Sequence, residues 1–109
     1  MLKRPEVLPG TVDLVILRAL SFGTAHGYGI SRLIQSRSNA MIQVEGAALY
    51  QALHRLERRK LIASEWGVSE NNRKAKFYRL TTAGQKHLRA ESTNWQAYVD
   101  AVSAVLAPS

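Results

Sequence analysis

A mainly α fold with a small β hairpin is what this chain of 109 residues predicts. Three observations carry the expectation. Apolar residues recur at helical spacing in four stretches, most regularly at Leu49, Ala52, Leu53 and Leu56, which occupy i, i+3, i+4 and i+7 on one helix face. Between the third and fourth stretches the period drops to two, in runs at 62–68 and 74–80 separated by Ser69-Glu70-Asn71-Asn72-Arg73, a turn-forming sequence between two strands. The fourth stretch is long: Leu88, Trp95, Val99, Val102 and Leu106 step by seven, four, three and four.

Residues 1–10 read as a flexible lead, because Pro5 and Pro9 prevent a helix across them. Gly10 or Thr11 can cap the next segment, and Asp13 in its first turn suits the helix dipole. Val12, Val15, Ile16, Leu17, Ala19 and Leu20 then make a helix apolar around most of its girth, central to the core or shared with a second subunit. Phe22-Gly23-Thr24-Ala25 ends it. A second helix begins near His26 or Gly27 and runs to about Ser38, with Tyr28, Ile30, Leu33 and Ile34 inward. Ile42-Gln43-Val44 is at most a short extended segment.

The third helix spans 46–60. Its apolar stripe is opposed by Ala47, Tyr50, Gln51, His54, Arg55 and Arg58, with Ala48 among the small residues at its start that let a partner backbone approach closely. Gln, His and Arg hydrogen-bond to base edges or phosphates, Arg bidentately. Two short helices, a tight Gly-containing turn and a third helix give the helix-turn-helix order, and the hairpin that follows has the place of a wing. Asn71, Asn72, Arg73, Lys74 and Lys76 lie at or near its tip. Thr81 or Thr82 caps the last helix, and Thr82 with Gln85 fits a capping box. That helix runs to about Leu106. Its apolar surface exceeds what so small a core can cover, so a second copy of the chain is the economical partner.

Charge sharpens this picture. The net charge is +7, and ten of the fifteen basic residues lie between Arg55 and Arg89. Beyond Arg89 there are only Glu91 and Asp100. A basic centre beside a mildly acidic tail suggests one polyanion-binding face and one end with another task. There are no cysteines, which excludes disulfides, thiolate zinc sites and cysteine nucleophiles. His26, His54 and His87 stand singly on separate elements, and no carboxylate pair or nucleophile-elbow sequence is present, so neither metal binding nor catalysis finds support. No cofactor is expected. The basic pair Lys3-Arg4 has no apolar run after it, and no stretch approaches the roughly 18 apolar residues of a membrane span. The expectation is a cytoplasmic protein without a membrane partner.

His26-Gly27-Tyr28-Gly29-Ile30, Ala48-Leu49-Tyr50, Leu53-His54-Arg55-Leu56-Glu57, Leu61-Ile62, Lys76-Phe77-Tyr78-Arg79-Leu80-Thr81 and Gly84, in this order, resemble the PadR family of transcriptional regulators. The resemblance starts near Leu8 and covers almost the whole chain. Ser69-Glu70-Asn71-Asn72-Arg73 with Trp95 downstream looks most like a subgroup abundant in acidobacteria. The resemblance implies a bacterial winged helix-turn-helix repressor dimerised by its C-terminal helix, and some members take flat aromatic or phenolic effectors between the dimer's helices. Three positions depart from the family's pattern. Gly23-Thr24-Ala25 stands where the family usually has Gly-Pro before His-Gly-Tyr, Gln51 replaces the Pro after Leu-Tyr, and Lys60 replaces the Gly before the Leu-Ile or Trp-Ile pair. The last is expected to disfavour the left-handed helix exit, since Lys carries a steric cost there.

The resulting expectation is a homodimeric, sequence-specific DNA-binding repressor with a DNA-binding domain at 1–81 and a dimerisation helix at 82–109. Helix 46–60 reads the major groove through Ala47, Ala48, Tyr50, Gln51, His54, Arg55 and Arg58. Wing 69–76 and Tyr28 hold the backbone through Tyr28, Asn72, Arg73, Lys74 and Lys76. Val12, Val15, Ile16, Leu88, Trp95, Tyr98, Val99, Val102 and Leu106 form the dimer interface, where Trp95 and Tyr98 could line a pocket for a small aromatic effector. The rival reading is a winged helix used as a protein–protein module without DNA.

Overall fold

The computed structural model describes Leu8 and residues 10–109; the expectation of a flexible lead with Pro5 and Pro9 lies outside the described residues. The chain forms α1 (Thr11–Leu20), β1 (Ala25–His26), α2 (Gly27–Arg37), α3 (Gly46–Arg58), β2 (Ile62–Val68), β3 (Lys74–Leu80) and α4 (Thr82–Leu106). The strands form one antiparallel sheet in the order β1-β3-β2. This is a winged helix: three helices against a small sheet, followed by a long terminal helix.

The core is the helical stripes read from the sequence, closed by the inner end of the sheet. Ile16, Leu17 and Leu20 of α1, Ile30 and Ile34 of α2, and Leu49, Ala52, Leu53 and Leu56 of α3 are buried together with Val44, Leu61, Ile62, Tyr78 and Leu88. Two expected interface residues belong here. Ile16 is wholly inaccessible and Leu88 nearly so within a single chain, so neither has surface left for a partner. Helix α1, apolar around most of its girth, faces α2, α3 and α4 at once, and its turn towards Ile16 is consumed by them.

Four local expectations are corrected. A two-residue strand, β1, pairs Ala25 with Tyr78 and His26 with Phe77; two residues are too few for alternation to register. Tyr28 points outward rather than inward, 64% exposed. Helix α3 stops at Arg58, two residues before the expected end. The cap of α4 is Thr81, whose hydroxyl accepts from the Gly84 N–H at 3.0 Å, and not a box of Thr82 with Gln85. The Thr81 hydroxyl also donates to the Lys60 and Leu61 carbonyls at 2.8 and 3.0 Å, tying the start of α4 to the exit of α3. A Cβ at Gly84 would overlap the Leu61 carbonyl oxygen, so only glycine permits this approach.

The exit of α3 keeps the left-handed turn that Lys60 was expected to disfavour. Lys60 has φ +62°. Its N–H reaches the Glu57 carbonyl at 2.9 Å, and the Leu61 N–H reaches the Leu56 carbonyl at 3.0 Å, the paired bonds of a Schellman motif. Leu56 and Leu61 are both buried, supplying the apolar contact that accompanies such a cap. Tertiary packing of Leu61 thus overrides the backbone preference of Lys60.

Candidate nucleic-acid interface

Helix α3 turns one face into the core and leaves the other in solvent, as its spacing dictates. Ala47, Tyr50, Gln51, His54, Arg55 and Arg58 share one open surface. Ala48 is exposed but lies off that surface, towards the buried Ala52. Arg55 is not free: one guanidinium nitrogen donates to Asp13 of α1 at 2.8 Å. The pair anchors α3 to α1 and leaves the remaining guanidinium donors on the exposed face, since Arg has five N–H groups to offer.

A groove borders this surface, running between the N-terminus of α2, Tyr50 of α3 and the wing. Tyr28 and Tyr50 stand on the helical side, and Trp66, Arg73, Lys74 and Lys76 on the wing side. The His26 ring caps α2 by accepting from the Gly29 N–H at 3.0 Å through Nδ1, and packs edge-on against Phe77 with centroids 5.3 Å apart. It is a structural cap that orients Tyr28 next to it. Gly27 is small for a local reason: a Cβ there would sit 2.6 Å from the Tyr50 hydroxyl. The Tyr28 hydroxyl accepts from Arg32 at 3.0 Å, so its own hydrogen remains for an acceptor in the groove.

The wing turn is tight. The Ser69 N–H meets the Arg73 carbonyl and the Asn72 N–H meets the Ser69 carbonyl, both at 2.8 Å, with Asn72 left-handed at φ +58°. Asn tolerates that conformation better than most residues. Asn72, Arg73 and Lys74 are exposed at the tip. Lys76 is directed back at the domain, 3.8 Å from the Glu57 carboxylate. Glu57 in turn accepts from the Ser64 hydroxyl at 2.5 Å. Burial first, then Glu57 and Tyr50, push the Tyr78 phenol above its usual pKa.

The basic residues do not collect on one face, as their clustering in sequence suggested. Arg73, Lys74 and Lys76 line the wing groove, and Arg55 and Arg58 the α3 surface. Arg59 instead borders a groove between α1 and α4, and Arg79 and Arg89 border another beside the α1–β1 turn. The α3 exit and strand alternation turn neighbouring residues to different sides. Sequence reasoning also missed Trp66, Glu57 and Asp13. Trp66 sits opposite Lys76 in the register, so its alternation with a basic return strand was the available signal. The Arg55–Asp13 contact spans 42 positions and left none.

On α4, Trp95, Tyr98, Val102, Val105 and Leu106 are exposed, with Val99 part-buried among them. Trp95 and Tyr98 lie with ring centroids 6.5 Å apart and line the groove between α1 and α4 with His87 and Glu91. Among the described residues no group of three or more His, Asp or Glu is placed to hold a metal ion, and no helix is long and apolar enough to cross a membrane.

Comparison with known proteins places this geometry. The family described as transcriptional regulator PadR-like matches residues 16–90. A protein of Lysinibacillus sphaericus described as uncharacterized is 33% identical over 92 residues, 84% of either chain. A transcriptional regulator from Clostridium thermocellum superposes with a TM-score of 0.81 at 28% identity, over 90% of this chain and 95% of that one. A PadR family transcriptional regulator from Eggerthella lenta gives 0.76 at 31% identity, over 92% and 85%.

Proposed function

The chain belongs to the transcriptional regulator PadR-like family, and we propose that it binds duplex DNA sequence-specifically as a homodimer and represses transcription. One observation carries the reading: the exposed face of α3 and the basic, aromatic groove under the wing adjoin, sharing Tyr50. Helix α3 enters the major groove, where Gln51, His54 and Arg58 reach base edges, Ala47 allows close approach, and Arg55 works from its anchor on Asp13. Asn72, Arg73 and Lys74 lie along the flanking backbone, and Tyr28 with the amides of the α2 N-terminus takes a phosphate. Lys76 contributes mainly through the field it adds, because Glu57 already faces it.

The dimer forms through Val12 and Val15 of α1 and Trp95, Tyr98, Val99, Val102 and Leu106 of α4. Residues 82–109 thereby set the separation of two recognition helices, which must match about 34 Å, one duplex turn. A planar aromatic effector in the groove lined by Trp95 and Tyr98 would shift that separation only if it prefers one dimer geometry over the other. Ser69–Arg73 together with Trp95 supports a place in the subgroup abundant in acidobacteria.

Selection of bound sequences from a random duplex library tests the reading, with double-stranded RNA as competitor. Gln51→Ala is expected to relax preference at particular base pairs by about 1–3 kcal/mol. Arg73→Ala is expected to weaken all sequences alike and lower the salt slope by about one. Identical base-pair profiles for the two variants would refute the division of labour. A chain that enriches no duplex would leave the protein–protein module.

A further inference from the structure

We propose that Trp66 of the wing is a DNA contact, its indole packing on the deoxyribose–phosphate strand that passes between wing and helices. The inference rests on the duplex-binding reading and assigns a residue that neither charge nor motif singles out.

Residue by residue, β2 leaves the core. Along the face that holds Trp66, Ile62 is buried, Ser64 is half-buried and bonded to Glu57, and Trp66 is 62% exposed. The strand carries the ring past the last helical residue able to cover it. An indole left this open offers a large, flat contact area with one polar handle. Its surroundings specify what that is. Tyr28 and Tyr50 face it across the groove, each more than half exposed, and Arg73 and Lys74 flank it. The Lys74 ammonium rests 5.1 Å from the indole centroid, a cation–π contact that holds a cation beside the ring in the free protein.

A sugar–phosphate strand matches this lining. Deoxyribose presents an apolar C–H face between two anionic groups. The indole supplies a flat apolar surface and one donor, Nε1–H. Lys74 and Arg73 supply cations for the neighbouring phosphates, and the Tyr28 hydroxyl retains a hydrogen to donate. An apolar protein surface would leave these cations and hydroxyls unpaired. The contact is sequence-independent, so Trp66 sets affinity and the seating of the wing, while base preference stays with α3.

The test uses the full chain and a duplex selected from a random library. Trp66→Ala is expected to weaken binding about tenfold or more, consistent with loss of a buried aromatic contact, with the slope of log K against log salt unchanged because no cation is lost. Lys74→Ala is expected to lose about one unit of slope. The emission that the wild-type chain has and Trp66→Phe lacks belongs to Trp66, and it is expected to change in proportion to duplex bound. Wild-type affinity in Trp66→Ala, or emission unaltered at saturating duplex, overturns the proposal. If the wild-type chain itself binds no duplex, the DNA reading fails first, and the two failures are thereby distinguished.

Discussion

Replacing Lys60 by glycine should stabilise this protein, although it removes a surface charge and adds a flexible residue. Lys60 holds φ +62° at the C′ position of α3, where a side chain meets the following carbonyl at a cost of about 1–2 kcal/mol. Glycine escapes that cost but gains freedom in the unfolded chain, an offset of roughly 0.5–1 kcal/mol. The Schellman bonds from the Lys60 and Leu61 amides are backbone bonds and survive the change, and Thr81 still donates to the carbonyl at 60. Among the described residues the Lys60 ammonium has no carboxylate within ion-pair distance. The net gain is therefore about 0.5–1 kcal/mol, roughly 2–6 °C in the unfolding midpoint of a domain this size. Calorimetric or circular-dichroism melts of wild type, Lys60→Gly and Lys60→Ala measure it. The alanine variant keeps the left-handed strain and is expected to stay near wild type or fall slightly. A glycine variant no more stable than the alanine variant would refute the account of the cap.

Two further outcomes follow from exposed and buried side chains. Val99→Glu with Val102→Glu should give monomers in sedimentation and weaken duplex binding, because two charges would enter the proposed apolar interface; an unchanged sedimentation coefficient would remove α4 as that interface. For Tyr78, burial first, then Glu57 and Tyr50, hold the folded-state pKa above that of an ordinary phenol, so the folded chain holds the phenolic proton more tightly than the unfolded one. Its contribution is complete below pH 10 and is lost as pH rises beyond it. Denaturant titrations above pH 10 should show a shallower loss of stability in Tyr78→Phe than in wild type, and equal slopes would argue against the shift.

Much of the fold was written in periodicity. The α3 stripe at Leu49, Ala52, Leu53 and Leu56 is buried as its spacing requires, and the runs 62–68 and 74–80 pair in the register that the five-residue turn imposes. The same periodicity determined the opposite face, so the residues expected to reach DNA from α3 are solvent-facing. These are local properties: a side chain's direction follows from backbone geometry within one turn or one pleat.

What the sequence could not contain is which of several apolar or charged surfaces meets which. Helix α1 read as apolar nearly all round, and only its packing among three helices decided that Ile16 is core while Val12 and Val15 retain surface. Leu88 looked continuous with Trp95 and Val99 along α4, yet the first turns lie on the domain and the later ones extend past it. Lys60 follows the preference of its neighbour Leu61 for the core over its own for a right-handed backbone. The pairing of Arg55 with Asp13 and the position of Trp66 opposite Tyr28 and Tyr50 depend on elements far apart in the chain. Spacing along one element determined its faces; the burial of apolar surface between elements decided which face meets which.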